Sequence, residues 1–358
     1  MMETPLAAHL GRHASLSVAY QGAFTPRIFS SLDQELTSLT TTAGIYDLGH
    51  KACLQITGAD RLRWLNGMVT NTIQALPEGH WNYNFLLNAQ GRIQGDANIY
   101  RTRESLILQT DRSQVGRLSA HLDHFIIMDD VELHPLDASQ TAIGIAGPHA
   151  AKILVSLGAD VPEEGVFAAT SLSEISITLV HAYSPLVPRF EIWLAASALP
   201  QLWASLQAAG ATPCGAASAD ALRILEATPL YGVDIQERHL AQETSQERAL
   251  NFNKGCYLGQ EIVERIRSRA TVHRGLRQFS VDHAPAVLHG GEKIEINAEG
   301  AERNPVGELT SVAHFALPAF TGALALGFIR ADVIERNLPL THDGGTATVL
   351  QTPPALPD

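Results

Sequence analysis

Cysteine is nearly absent. The 358 residues hold three, Cys53, Cys214 and Cys256, at spacings that form no CxxC or zinc-type pair. So odd and sparse a set fits a reducing compartment better than a disulfide-stapled secreted scaffold. Long apolar runs are missing as well: no stretch approaches the ~18–20 uninterrupted apolar residues that a spanning helix needs. The opening "MMETPLAAHLGRHASLSVAY" has neither a basic n-region nor an apolar core, so it does not read as a signal peptide. A cytoplasmic protein with no membrane partner is the expectation. There is no P-loop, no GxSxG elbow and no GxGxxG after a strand, which argues against NTPases, serine hydrolases and Rossmann dehydrogenases. Positive charge is also short. With 25 Lys+Arg against 37 Asp+Glu the net charge is −12, which argues against binding nucleic acid by bulk electrostatics.

What is present is an ordinary globular composition, 45% hydrophobic and 17% charged, long enough for two or three domains. "KACLQITG" alternates as a strand, and "ADRLRWLNGMVTN" spaces Leu62, Leu65 and Val69 as a helix. "WNYNFLLNAQGRIQGDANIYR" predicts two strands joined by a turn at Ala89-Gln90-Gly91. "SLILQT" is a further strand. "QVGRLSAHLDHFIIM" predicts a helix with Val115, Leu118, Leu122 and Phe125 on one face. Strands follow at "VELHPL" and "TAIGIAG", a helix at "HAAKILVSLG", a strand pair at "ISITLVHAY" and "RFEIWLAA", and a helix at "ALPQLWASLQAAG". Adjacent strand pairs mixed with helices predict an α+β fold with antiparallel sheets rather than a doubly wound one. After Arg274 the texture becomes short strands and Gly/Pro turns ("LRQFSV", "EKIEI", "PVGELTSVA", "LALGFIR", "TATVL"), which fits a β-barrel or sandwich. The expected division is 1–275, holding two α+β modules, and 276–358.

Four constellations bear chemistry. In "NFNKGCYLGQEIVERIRSR", Cys256 stands between Gly255 and Gly259, with Lys254 before it. Leu258, Ile262 and Ile266 predict a helix whose first turn would lie at or just after the cysteine. There the helix dipole and unpaired N–H groups favour a thiolate; alternatively, Cys256 packs as a small inert hydrophobe. Between Lys254 and Arg277 six Lys/Arg (Lys254, Arg265, Arg267, Arg269, Arg274, Arg277) stand against Glu261 and Glu264. That is a candidate anion or tRNA surface, or simply a solvated helix face. Asp96, five residues beyond the turn glycine, could take a proton or hydrogen-bond a heterocycle, with Tyr83 on the preceding strand. "HLDHFIIMDD" offers His121, Asp123, His124, Asp129 and Asp130, but lacks a third ligand at fixed spacing; no metal site is expected.

Taken together, "GIYDLGHKACLQITGADRLRWLNGMVTNTI", "NYNFLLNAQGRIQGDANIYR", "IAGPHA", "LRILEATPLYGVDI" and above all "KGCYLGQEIVERI" resemble one family. The chain is similar to the folate-binding YgfZ branch of the aminomethyltransferase (glycine-cleavage T-protein) superfamily, from about Ala43 to Arg277 and on through "GELTSVA" and "ALGFIR". The resemblance implies a T-protein-like ring of two mixed α/β modules and a C-terminal β-barrel around tetrahydrofolate or a one-carbon derivative. By the same resemblance Asp96 lies near the reacting folate nitrogens beside Tyr83, Glu191 grips the pterin, and Arg223 meets the anionic tail. Lys254, Gly255, Cys256, Tyr257, Gly259, Gln260 and Glu261 form the branch motif. That branch is associated with assembly or repair of iron–sulfur clusters in client enzymes, including radical enzymes that modify tRNA. The resemblance therefore implies a folate-dependent accessory factor acting through Cys256, with client enzymes or cluster carriers as partners. Two alternatives stay open: a folate-dependent aminomethyltransferase or demethylase, and a non-enzymatic RNA- or protein-binding module. The departures are Gly95-Asp96 where transferases carry two acids, and Leu225 with Glu226 displaced by one in the "LRxE" position.

Overall fold

A computed structural model of the chain describes residues 1–11, 17–136, 139–269, 272–284, 288, 292–303 and 305–356. The chain divides into two compact units, residues 1–84 with 96–219, and residues 85–95 with 220–358. One hairpin therefore contributes to both: its strands Trp81–Leu87 and Ile93–Arg101 begin and end in the first unit, and its tip belongs to the second.

The first unit is built from two larger sheets and a small one. A five-stranded sheet runs in the order Trp81–Leu87, Ile93–Arg101, Leu106–Asp111, Lys51–Thr57 and Glu132–Pro135. A six-stranded sheet has the order Phe167–Leu172, Ile175–Ala182, Arg189–Ala195, Gln140–Ala146, Gly44–Asp47 and Thr212–Pro213. Its pairings are antiparallel except the last, where Thr212–Pro213 runs parallel to Gly44–Asp47. The small sheet joins Met2–Glu3, Ala23–Pro26 and Ser17–Tyr20.

Helix Leu199–Ala208 shows why these sheets are covered. Leu199, Leu202, Trp203 and Leu206 recur at helical spacing, and all four are buried in one core with Ile45, Ile143, Ile145 and Ile192 of the six-stranded sheet. Each such side chain contributes roughly 1.5–3 kcal/mol on burial. Pro200 sits in the first turn, where no N–H partner is needed.

The second unit is dominated by a closed six-stranded barrel, in the order Arg274–Val281, Thr321–Arg330, Gly307–Ala316, Ile294–Ala298, Leu340–His342 and Gly345–Leu350. Phe279, Ile296, Leu309, Ala325 and Ile329 fill its interior. The α+β class with a C-terminal barrel is thus observed.

Two helices are shorter than their periodicity predicts. The first spans Arg61–Asn66 and stops at Gly67. The second spans Arg112–Asp123, so Phe125 to Met128 lie beyond it, with Ile127 and Met128 82% and 93% exposed. Among the described residues no helix is long and apolar enough to cross a membrane.

Candidate functional site

The site grows from one strand pairing. Lys51 lies opposite Asp111 where Lys51–Thr57 pairs antiparallel with Leu106–Asp111. Asp111 then begins helix Arg112–Asp123 at the capping position, but makes no side-chain cap. Its carboxylate instead meets the Lys51 ammonium at 2.9 Å. Three residues on, the helix presents Gln114, which is buried.

Gln114 reaches the strand that carries Asp96. Its Oε1 accepts from the Asp96 backbone N–H at 3.1 Å, and its Nε2 donates to Asp96 Oδ1 at 2.9 Å. Tyr83 Oη donates to Asp96 Oδ2 at 2.7 Å. The hairpin therefore brings together Asp96 and the tyrosine on its preceding strand. Asp96 itself is half-buried. Burial pushes its carboxyl above the usual range and Asp111 adds to that, while Tyr83, Gln114 and Lys51 pull the other way. Burial alone would lower Lys51, but Asp111, Glu191 and Asp96 together raise its ammonium well above the ordinary lysine value. One cation thus serves three carboxylates.

Glu191 projects from strand Arg189–Ala195 and is buried. Gln109 Nε2 and Trp193 Nε1 both donate to its Oε2, at 2.7 and 3.0 Å. Among the described residues, no hydrogen bond reaches its Oε1. Tyr100 donates to Gln109 Oε1 at 3.1 Å and meets the Trp193 ring edge-on, with centroids 4.6 Å apart. The result is a carboxylate with one oxygen held among aromatic rings. The other oxygen, Oε1, suits a planar heterocycle bearing N–H groups. Nearby Cys53 is pushed up to about 12 by burial and by Glu191, so it is an unreactive thiol.

His50 completes this region. It is buried, with its Nε2 3.8 Å from Asp111 and its ring edge-on to Tyr20 at 5.0 Å. Burial lowers it to about 4, against the attraction of Asp111. The neutral form is the folded form, so stability is complete above the ordinary value of 6.5 and is lost as pH falls through 6.5 toward about 4. The full loss is on the order of 3 kcal/mol. Urea midpoints measured from pH 7 to 4 should fall accordingly, and His50→Gln should flatten that slope.

Arg223 and Cys256 belong to the second unit, whereas Tyr83, Asp96 and Glu191 belong to the first. Arg223 lies on helix Ala216–Leu225 and is buried. Its Nη1 pairs with Asp234 at 2.6 Å, its Nε with Asp220 at 2.7 Å, and its Nη2 donates to Ser311 Oγ at 2.9 Å. Thr310 and Ser311 of the barrel strand Gly307–Ala316 both donate to Asp234 Oδ1. Glu226, the displaced acid, is also buried.

Cys256 is exposed, unlike Cys53 and Cys214. The helix predicted to start at it begins only at Gln260 and runs to Arg269, leaving the thiol four residues short of the first turn. The reason is Gly259. Its φ of +81° is left-handed, and a Cβ there would lie 2.5 Å from the Asn88 carbonyl oxygen and 3.2 Å from Gly91 Cα. The motif glycine is therefore pressed onto the tip of the hairpin, where Gly91 in turn leaves room for Ile262. Gln260 Oε1 accepts from the Tyr257 N–H at 3.3 Å, and Tyr257 is buried. Gly255 and Glu261 are exposed. The half-buried Lys254 places its Nζ 4.9 Å from the Tyr257 ring centroid, and burial lowers its ammonium to about 7.

Three of the arginines after the motif have local partners. Arg267 lies over the Phe252 ring at 4.3 Å, Arg274 pairs with Glu243 at 3.0 Å, and Arg277 donates to Ser245 Oγ at 2.9 Å. The Arg269 side chain lies outside the described residues. In "HLDHFIIMDD", Asp129 pairs with Arg63 at 2.6 Å and Asp130 accepts from the Ala59 N–H. Among the described residues no group of three His, Cys, Asp or Glu could hold a metal ion.

Fold and site together define an α+β protein with a C-terminal barrel and a carboxylate-lined site in its first unit. Residues 7–254 match the family model described as the GCVT N-terminal domain, and the chain belongs to that family. It is 26% identical over 360 residues to an aminomethyltransferase of Rippkaea orientalis, covering 95% of this chain and 92% of that one. An aminomethyltransferase of Deinococcus deserti is 28% identical over 320 residues, covering 87% and 88%. The crystal structure of glycine cleavage system aminomethyltransferase T from Bartonella henselae superposes with a TM-score of 0.85 at 17% identity, over 99% of this chain and 97% of that one. Members of this family use tetrahydrofolate.

Proposed function

We propose that this chain binds tetrahydrofolate and acts in transfer of a one-carbon unit from an amine, as its aminomethyltransferase relatives do. The observation that carries this reading is the Tyr83–Asp96–Gln114 arrangement, a half-buried carboxylate held at both oxygens. Glu191 fits the ligand through Oε1, which can accept an N–H from the pterin edge while Gln109 and Trp193 hold Oε2. Tetrahydrofolate, when bound, supplies the nitrogens that take up the one-carbon unit. Asp96 holds a proton at the reacting nitrogen or accepts one from it, and Tyr83 fixes the carboxylate while it does so. Arg223 is assigned a different role from the one its resemblance implies. Asp234, Asp220 and Ser311 already take its guanidinium, so it acts as an internal cation of the fold rather than as the holder of the folate tail.

Calorimetric titration with tetrahydrofolate tests the reading. Wild type should bind, and Glu191→Gln should weaken binding at least about tenfold, or ~1.4 kcal/mol. Absence of binding by wild type would end this account of the site.

A second reading concerns "KGCYLGQE". Cys256 alone of the three cysteines is exposed, on a loop pinned by Gly259 and Tyr257. That favours the YgfZ-type role, in which the thiol serves iron–sulfur clients or cluster carriers while folate sits in the first unit. One cysteine cannot hold a cluster alone, so further ligands come from the partner. Cys256→Ser should then leave tetrahydrofolate affinity unchanged and lower the activity of cluster-dependent enzymes in cells. Full activity of those enzymes with the serine variant would remove this reading. Neither reading requires RNA contact.

A further inference from the structure

Burying a glutamine amide is costly unless its partners are fixed. Gln114 has fixed partners, and all of them concern one carboxylate pair. Its carbonyl oxygen faces the Asp96 N–H at 3.1 Å, and its amide nitrogen faces Asp96 Oδ1 at 2.9 Å and Asp111 Oδ2 at 3.5 Å. The opposite orientation of the amide would set its oxygen against two carboxylates. The neighbours therefore dictate which way the side chain points.

We propose that Gln114 is a positioning residue for Asp96: its amide clamps the backbone and the carboxylate of Asp96 at once and keeps that carboxylate oriented and ionised for the ligand. This rests on the reading of Asp96 as the residue that meets the reacting nitrogen. The groups facing Asp96 are Tyr83 from strand Trp81–Leu87, Asp111 from the end of Leu106–Asp111, Gln114 from helix Arg112–Asp123, and Lys51 from Lys51–Thr57. Of these, Asp111 opposes ionisation, as burial does, and the other three favour it. Gln114 Nε2 faces a carboxylate oxygen of Asp96 and one of Asp111, so it stands between two like charges as well as donating to Asp96. Lys51 supplies the countercharge from the far side of Asp111.

The test is a carboxyl-carbon NMR titration of ligand-free protein, with the Asp96 resonance assigned by Asp96→Asn. Gln114→Met keeps side-chain volume and removes the donor, so the Asp96 midpoint should move upward by about one pH unit. Asp111→Asn removes the opposing charge while Lys51 remains, so the midpoint should move downward. Shifts of opposite sign from two neighbouring substitutions are not produced by general loosening of the site. The pH dependence of tetrahydrofolate affinity should follow the same two displacements. An Asp96 midpoint that stays in place in Gln114→Met, or moves the same way in both variants, overturns the proposal. If the midpoints move as expected but wild type binds no tetrahydrofolate, the positioning of Asp96 stands and the folate reading falls.

Discussion

Asp96→Asn is expected to fold at least as stably as wild type while losing one-carbon transfer by about 10²–10⁴-fold. The two halves of this expectation have one cause. Burial raises the Asp96 carboxyl above its ordinary value of 3.8, helped by Asp111. An acid whose pKa is higher in the folded state contributes its stability below the unfolded value and loses it as pH rises through the folded value. At neutral pH the ionised carboxylate is therefore held at a cost, offset in part by Tyr83, Gln114 and Lys51. Asparagine has no charge to bury. It can still accept at one position and donate to the Tyr83 oxygen at the other, so the packing around it survives. What it cannot do is take a proton. Urea denaturation at pH 7–8 should show an equal or higher midpoint for the variant, with the two curves converging as pH is lowered toward the Asp96 titration. Turnover should be assayed on the same preparations with amine donors and tetrahydrofolate. A variant that is clearly less stable, or as active as wild type, would show that Asp96 is a structural residue. Stability held back at a reacting group is the usual signature of a site selected for function.

The features legible in the sequence were the local ones. Two strand-like runs joined at the turn Ala89-Gln90-Gly91 located the hairpin Trp81–Leu87 and Ile93–Arg101, with Tyr83 and Asp96 on its two strands; the hydrogen bond between them is visible only in the structure. The short strands after Arg274 likewise foretold the barrel, whose closure is visible only in the pairing of its first strand with Gly345–Leu350. Lys51, Asp111 and Gln114 gave no signal. Lys51 and Asp111 meet because two strands 60 residues apart pair in one register, and no local pattern encodes a register between distant strands. Apolar spacing also overran helix ends. The run through Phe125 to Met128 looked helical, yet the helix stops at Asp123 and two of those side chains are exposed. Spacing around Cys256 misled for a backbone reason: the left-handed Gly259 places the helix start after itself. The thiol therefore lies four residues before the first turn, outside the reach of the helix dipole. The N-terminal sheet escaped notice because its strands span two to four residues, too few to show a period.

Asp234→Ala and Arg223→Met are each expected to destabilise the second unit by about 3–5 kcal/mol, because either change strands a buried charge. Asp234 is fully buried, and its two oxygens meet Arg223, Thr310, Ser311 and the Leu230 N–H. Removing it takes the fully buried carboxylate away from the Arg223 guanidinium, while the Asp220 side chain that also pairs with it is about one-third exposed. The thermal midpoint should drop on the order of 10 °C. The double variant Arg223→Met/Asp234→Leu should recover part of that loss, since neither member of the buried pair is left stranded and Asp220, which also loses Arg223, is about one-third exposed. The cycle gives the coupling between the two residues. The same proteins separate a structural arginine from a ligand-binding one. Saturating tetrahydrofolate stabilises any protein that binds it only when folded, by an amount set by concentration over Kd. If Arg223 serves only the fold, the single variants start lower but rise by the same increment as wild type on adding ligand. If it holds the anionic tail of the ligand, Arg223→Met loses most of that increment whereas Asp234→Ala, which keeps the guanidinium, retains it. The difference between those two increments, rather than the loss of stability, decides what Arg223 is for.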